Sequence, residues 1–167
     1  MAKKYILITG SSGFIGSELR KYLKNKPYEL LLPNSKELNL VSFQKSSKYF
    51  KSIKSKKIAA IFHLAAVYNS SIWSKNNDGK SFYNNCNINL NLFELVRIYF
   101  PNTTVVSTSS YLIYNNENKT FKETEIFVGN LADNLFGYAS SKLSMLFNIF
   151  SYNKQYKTNY KCLILPT

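Results

Sequence analysis

Cysteine, arginine, histidine, tryptophan and acidic residues are all scarce in this chain of 167 residues, and each scarcity excludes something. The two cysteines, Cys86 and Cys162, have no Cys-x-x-Cys spacing, so the sequence offers neither a disulfide framework nor a thiolate metal site. That usage suits a reducing compartment, and a cytoplasmic protein is expected. Long hydrophobic runs are missing as well. The longest, Ile58 to Val67, is interrupted by His63 and falls short of the ~20 residues that a membrane span needs. Lys3-Lys4 leads straight into a short apolar run, without the ~7–15-residue hydrophobic stretch of a signal peptide.

What is abundant is lysine. With 22 basic and 9 acidic residues the formal charge is +13, which invites a nucleic-acid surface. Arginine, the better reader of bases and phosphates, occurs only at Arg20 and Arg97. Lys45, Lys48, Lys51 and Lys54 recur every third residue opposite Phe43, Phe50 and Ile53, as on the wet side of an amphipathic helix. A solvated helix face is therefore expected, with no nucleic-acid partner. At 45% hydrophobic and 19% charged, the chain is apolar enough to build one packed domain.

Short strand-like runs alternate with longer helical ones. Strands are expected at Tyr5–Thr9, Tyr28–Leu32, Lys57–Ala66, Thr103–Ser109 and Lys161–Leu165. Between them fall a helix with Phe14, Ile15, Leu19, Tyr22 and Leu23 on one face, the lysine-rich helix, and a helix over Ser81–Phe100. A polar loop over Asn115–Asp133 precedes a helix over Phe136–Tyr152, with Leu143, Leu146, Phe147 and Phe150 on one face. Such alternation predicts right-handed strand–helix–strand units around a parallel sheet. The last strand reads as buried, so a covering segment is expected to follow Pro166-Thr167.

The first strand runs into Gly10-Ser11-Ser12-Gly13-Phe14-Ile15-Gly16 and then a helix. Gly10 permits a tight turn, Gly13 lets the backbone approach a diphosphate, and Gly16 lets the helix pack close to the strand. The helix N-terminus supplies free N–H groups and the positive end of the helix dipole. After the second strand, Pro33-Asn34-Ser35-Lys36 carries no acid for a ribose 2′-hydroxyl. The available Lys36 and Ser12 tilt the choice between NADP and NAD toward NADP.

In Tyr138-Ala139-Ser140-Ser141-Lys142, a phenol and an ammonium lie one helical turn apart. A tyrosine works as a proton donor or acceptor near neutrality if its pKa of about 10 falls by roughly 3 units. One ammonium about 4 Å away, at an effective dielectric near 20, supplies about that much. Ser107-Thr108-Ser109-Ser110 adds hydroxyls at the carboxyl end of the fourth strand, where open α/β sheets bind ligands.

Thr9-Gly10 through Gly16, His63-Leu64-Ala65-Ala66, Ser110 through Tyr114, Tyr138 through Lys142 and Leu165-Pro166-Thr167 together resemble the landmarks of the extended short-chain dehydrogenase/reductase family. These are NAD(P)-dependent epimerases and dehydratases acting mostly on nucleotide sugars. The resemblance implies a Rossmann-like, doubly wound parallel sheet with helices on both faces, forming the dinucleotide-binding domain over residues 1–167. It also implies a separate C-terminal substrate domain that this chain does not contain. Tyr138 becomes the catalytic acid/base, Lys142 the holder of the nicotinamide ribose, and Ser110 the ligand of the substrate oxygen. Cofactor contacts are implied for Gly10, Ser12, Gly13, Phe14, Ile15 and Gly16 in the loop, and for Lys36, Asn39 and Leu40 after the second strand. Leu64, Ala65, Ala66, Asn85 and Pro166, with Tyr138 and Lys142, complete that set. His63 is read as a packing residue at a strand end.

Within the family the chain is most similar to the GDP-fucose synthase branch, with departures. Leu112 stands where that branch has an epimerising cysteine, and Val67-Tyr68-Asn69 replaces its glycine-rich segment. Tyr111-Leu112 occupies the positions of the dehydratases' Asp-Glu pair. A 4-epimerase or 4-ketoreductase of a nucleotide sugar remains, or the cofactor-binding half of one. A homodimer through the two long helices is implied. The alternative is a non-catalytic module that senses the cofactor or acts in assembly.

Overall fold

A computed structural model describes residues 3–68, 73, 76–114, 120–126, 130–131 and 135–166. Five parallel strands form one sheet: β1 (Lys4–Thr9), β2 (Glu29–Leu31), β3 (Lys57–His63), β4 (Thr104–Ser110) and β5 (Tyr160–Leu165), in the order β2-β1-β3-β4-β5. Helices α1 (Phe14–Leu23), α2 (Phe43–Ile53), α3 (Asp78–Tyr99) and α4 (Phe136–Tyr156) connect them. The chain leaves β1 for β2 on one side and returns to β3 on the other. The β1/β3 boundary is therefore the topological switch point, where the carboxyl ends of such sheets open a crevice.

Alternation along β1 divides the interior. Leu7 points into a large cluster with Phe50 of α2, Leu92, Phe93, Leu95 and Val96 of α3, and Met145 and Ile149 of α4. Ile6 and Ile8 point the other way, against Leu23 and Leu19 of α1. Helices thus cover both faces, three on one side and α1 on the other. Phe93 is fully buried and stacks on Tyr160, whose hydroxyl donates to the Phe93 carbonyl at 2.9 Å. Glu94 takes two hydrogen bonds from Arg97 and one from the Tyr152 hydroxyl, so the C-terminal halves of α3 and α4 are locked together.

Several element bounds differ from expectation for physical reasons. β3 ends at His63 rather than Ala66, because Ala65 N–H turns to the Thr9 hydroxyl at 3.3 Å and the apolar run continues as cleft wall. α3 begins at Asp78, an acid in its first turn whose Oδ1 also accepts from Gly137 N–H at 2.7 Å. α4 runs on to Tyr156 and stops with Lys157 in the left-handed region, without the glycine that usually marks such a stop. Part of the polar loop forms a short 3-10 turn at Glu123–Glu125.

Core facing also needs correction. On α1 only Leu19 and Leu23 pack inward, whereas Phe14, Ile15 and Tyr22 are exposed. Phe43 of α2 and Phe147 and Phe150 of α4 are exposed as well. Lys45, Lys48, Lys51 and Lys54 lie on the solvated face, as expected. Among the described residues, no helix is long and apolar enough to cross a membrane, and no group of His, Cys, Asp and Glu is arranged to hold a metal ion.

Removing the ring at Phe93 leaves a cavity in the main cluster, while Leu163 is 53% exposed on β5. In urea unfolding, Phe93→Ala is expected to lose about 3–5 kcal/mol and Leu163→Ala under about 1 kcal/mol.

Candidate functional site

Gly10 sits at φ +69°, and a Cβ there would lie 2.7 Å from the Ala65 nitrogen and the Leu64 carbonyl carbon. A Cβ on Gly16 would overlap the Gly10 carbonyl oxygen and come within 2.7 Å of Ser11 Cα. Backbone therefore packs on backbone where β1, α1 and the segment after β3 meet. Gly13, in extended conformation, is the N-cap of α1 and its N–H returns to the Gly10 carbonyl at 3.1 Å. Helix geometry leaves the N–H groups of Phe14, Ile15 and Gly16 without an intrahelical carbonyl. Among the described residues no side chain caps them, and no acid occupies the first turn. This is an anion cradle, open to solvent at Phe14 and Ile15.

Beside it lies a cleft of about 220 Å³ at the switch point. Thr9, Gly10, Asn34, Ser35, Asn39, Leu40, Ala65, Ala66, Val67 and Ile88 are among its lining residues. Of the expected cofactor residues, Gly10, Asn39, Leu40, Ala65 and Ala66 thus share one cavity. Ser12 and Lys36 are exposed and outside the lining, and Leu64 is half-buried in the α1-side cluster. Asn34 folds its own loop, its Oδ1 accepting from Lys36 and Glu37 N–H. Asn85 is buried and does not line the cleft. Its amide accepts from Val67 N–H at 2.8 Å and donates to the carbonyls of Val67 and Ser81. Pro166 is exposed just beyond β5, at the β4 end where Ser110 pairs with Leu165.

At the carboxyl end of β4, Lys142 is 5% exposed and donates from Nζ to the Thr108 carbonyl at 2.8 Å. The same Nζ lies 5.6 Å from the centre of the Tyr138 ring. The phenol and ammonium are therefore together, next to the strand that ends in Ser110. The Ser110 hydroxyl accepts from Leu112 N–H at 3.3 Å, capping a 3-10 turn over Tyr111–Ile113. The hydroxyls of Ser107 and Ser109 on the same strand are buried and unpartnered among the described residues.

The electrostatics depart from expectation. Burial pushes Tyr138 up to about 12, with Tyr68 a second cause, so the anticipated lowering by Lys142 does not appear. Burial also pushes the Lys142 ammonium down to about 8, with the nearby Cys162 acting the other way. Desolvation dominates at the phenol, while Lys142 is itself desolvated and already bonded to the Thr108 carbonyl. Tyr68, which packs edge-on to Tyr138 with ring centres 5.1 Å apart, was not anticipated as a site residue. Its place just after a strand's carboxyl end was the available signal. Asn69 and Thr167 lie outside the described residues.

His63 is buried between Thr9 Oγ1, 2.8 Å from Nδ1, and Asn89 Oδ1, 3.0 Å from Nε2. Because Asn89 Oδ1 only accepts, Nε2 carries the proton and Nδ1 accepts from Thr9. Burial first, and the charge of Lys142 second, pull His63 down to about 3, so it packs as a neutral ring.

The NAD dependent epimerase/dehydratase family model matches residues 6–167. The chain belongs to this family. Among curated proteins it is 28% identical over 162 residues to the GDP-L-colitose synthase of Yersinia pseudotuberculosis, covering 94% of this chain and 52% of that protein. It is 27% identical over 168 residues to the GDP-L-fucose synthase of Escherichia coli (strain K12), covering 100% of this chain and 51% of that protein. The chain spans about half the length of the curated relatives it matches. Among solved structures, a GDP-mannoheptose C4 reductase from Campylobacter jejuni with NADP bound superposes at TM-score 0.87 and 25% identity, over 100% of this chain and 49% of that one. The Rossmann-like sheet and the family expected from the motifs are both confirmed.

The site makes stability depend on acid. Between about pH 3 and 6.5 the unfolded His63 binds a proton that the folded ring refuses, so stability falls as pH is lowered through that window. Thermal melts at stepped pH should show His63→Gln losing part of this slope.

Proposed function

We propose that this chain is the dinucleotide-binding domain of an NADP(H)-dependent oxidoreductase that reduces the C4 ketone of a GDP-linked sugar. The observation that carries the reading is the meeting of three parts at the carboxyl ends of the strands: the anion cradle at Gly10–Gly16, the cleft beside it, and the Tyr138–Lys142 pair on the Thr108 carbonyl. The cradle fits a diphosphate because α1 opens with free N–H groups that no described side chain caps, and with no acid in its first turn. The cleft fits a nucleoside because its walls are apolar side chains with Asn34, Ser35 and Asn39 at hand. When bound, the nicotinamide supplies the hydride.

The protein's share is proton delivery and charge. Tyr138 keeps its proton at neutral pH, the state needed to donate from Oη to the oxygen of a ketone being reduced. Lys142 stays charged below about 8 and offers an ammonium beside that phenol, where it favours negative charge developing on Oη as the proton leaves. Ser110, at the end of β4, is the hydroxyl assigned to the sugar oxygen. Leu112 carries no acid or thiol, which favours simple reduction over epimerisation. The preference for NADP rests on the missing acid after β2, with Ser35 lining the cleft and Lys36 exposed beside it. Two unpaired cysteines fit a cytoplasmic setting.

Oligomerisation belongs to the same reading. Phe82, Tyr83 and Leu90 of α3 and Phe136 of α4 are all more than 40% exposed, on two helices that pack together. A homodimer through these helices covers them. Analytical ultracentrifugation should find a dimer, and Leu90→Glu should shift it toward monomer; a wild-type monomer at tens of micromolar contradicts this part.

Turnover is tested by NADPH oxidation with a GDP-linked 4-keto sugar. Tyr138→Phe should lower the rate by about 10²–10⁴-fold while NADPH binding is retained. The wild-type rate should hold below about pH 8 and fall above it as Lys142 loses its proton. Unchanged turnover in Tyr138→Phe contradicts the assignment.

A further inference from the structure

Three buried asparagines on the cleft side of α3 hold three separate walls of the cleft. Asn85, 1% exposed, clamps both backbone polar groups of Val67. Asn89, 4% exposed, accepts from His63, whose other nitrogen accepts from Thr9; the Thr9 hydroxyl in turn accepts from Ala65 N–H. Asn91, 8% exposed, donates from Nδ2 to the Leu40 carbonyl at 2.7 Å. Thr9, Leu40, Ala65 and Val67 all line the cleft, and Ile88 from the same helix lines it too. Thr9 is the last residue of β1, but Leu40, Ala65 and Val67 lie in the segments after β2 and β3, where the sheet no longer fixes their separation.

Asparagine is a poor choice for a helix interior, and a buried amide is unfavourable unless its hydrogen bonds are made. At these three positions the bonds run across the fold, over 18, 26 and 51 residues of sequence, rather than only along the helix. We infer that Asn85, Asn89 and Asn91 form a brace that sets the spacing of the cleft walls for the adenosine-bearing end of the dinucleotide. They are positioning residues, acting through the loops they hold. The inference rests on the dinucleotide reading proposed above.

A matched control exists on the same fold. Asn153 also makes three hydrogen bonds, to the backbone of Tyr160 and the hydroxyl of Thr158, but neither of these partners lines the cleft. NADPH dissociation constants, melting temperatures and hydrogen exchange over residues 38–41 and 65–67 are compared for Asn85→Ala, Asn91→Ala, the near-isosteric Asn91→Leu, and Asn153→Ala. The brace predicts NADPH binding weakened about tenfold in the α3 variants, through lost preorganisation. Faster exchange in the two loops should accompany it. Asn153→Ala should leave both unchanged even where it lowers the melting temperature as much. If Asn85→Ala does not fold, the two Asn91 variants decide the matter. Wild-type binding with unchanged affinity in the α3 variants, or equal weakening in Asn153→Ala, overturns the brace and leaves the dinucleotide reading standing. No binding by wild type overturns both.

Discussion

Everything at the switch point depends on backbone meeting backbone at Gly10. Its positive φ turns the chain from β1 toward α1, and the space for a side chain is taken by Leu64 and Ala65 beyond β3. Gly16 then seats α1 on the Gly10 carbonyl. A methyl group at either position forces apart the three segments whose ends make the cradle and the cleft. The uncapped start of α1 stays aimed at the crevice because neither contact can be relaxed independently.

Burial sets the protonation states farther along the same edge. His63 is held neutral, Tyr138 keeps its proton, and Lys142 is the one of the three that is charged at neutral pH. A single ammonium beside a protonated phenol suits the reductive direction of the proposed chemistry, in which an oxygen gains negative charge and then a proton. His63 is excluded from that role by its position between Thr9 and Asn89.

Much of this was legible in the residues. The glycine spacing marked the β1–α1 turn, because few other backbones need three glycines at those intervals. The Tyr138–Lys142 spacing and the hydroxyl-rich end of β4 pointed to one place, and the structure joins them through Thr108. Other features were hidden by their physics. Phe14 and Ile15 looked like core on helical periodicity, yet at the first turn of α1 both are exposed. Leu64–Ala66 looked like strand because a cleft wall is as apolar as a sheet interior. The raised pKa of Tyr138 depends on desolvation, which local spacing does not encode. Asn85 matched a family position, but its clamp on Val67 links residues 18 apart in sequence.

A crystal structure of this chain with NADPH tests the account most directly. It should show the diphosphate on the N–H groups of Phe14 to Gly16, the adenosine among Ser35, Leu40 and Ala66, and the nicotinamide ribose within hydrogen-bonding reach of Lys142. A dinucleotide seated elsewhere, or one whose ribose lies remote from Lys142, contradicts it.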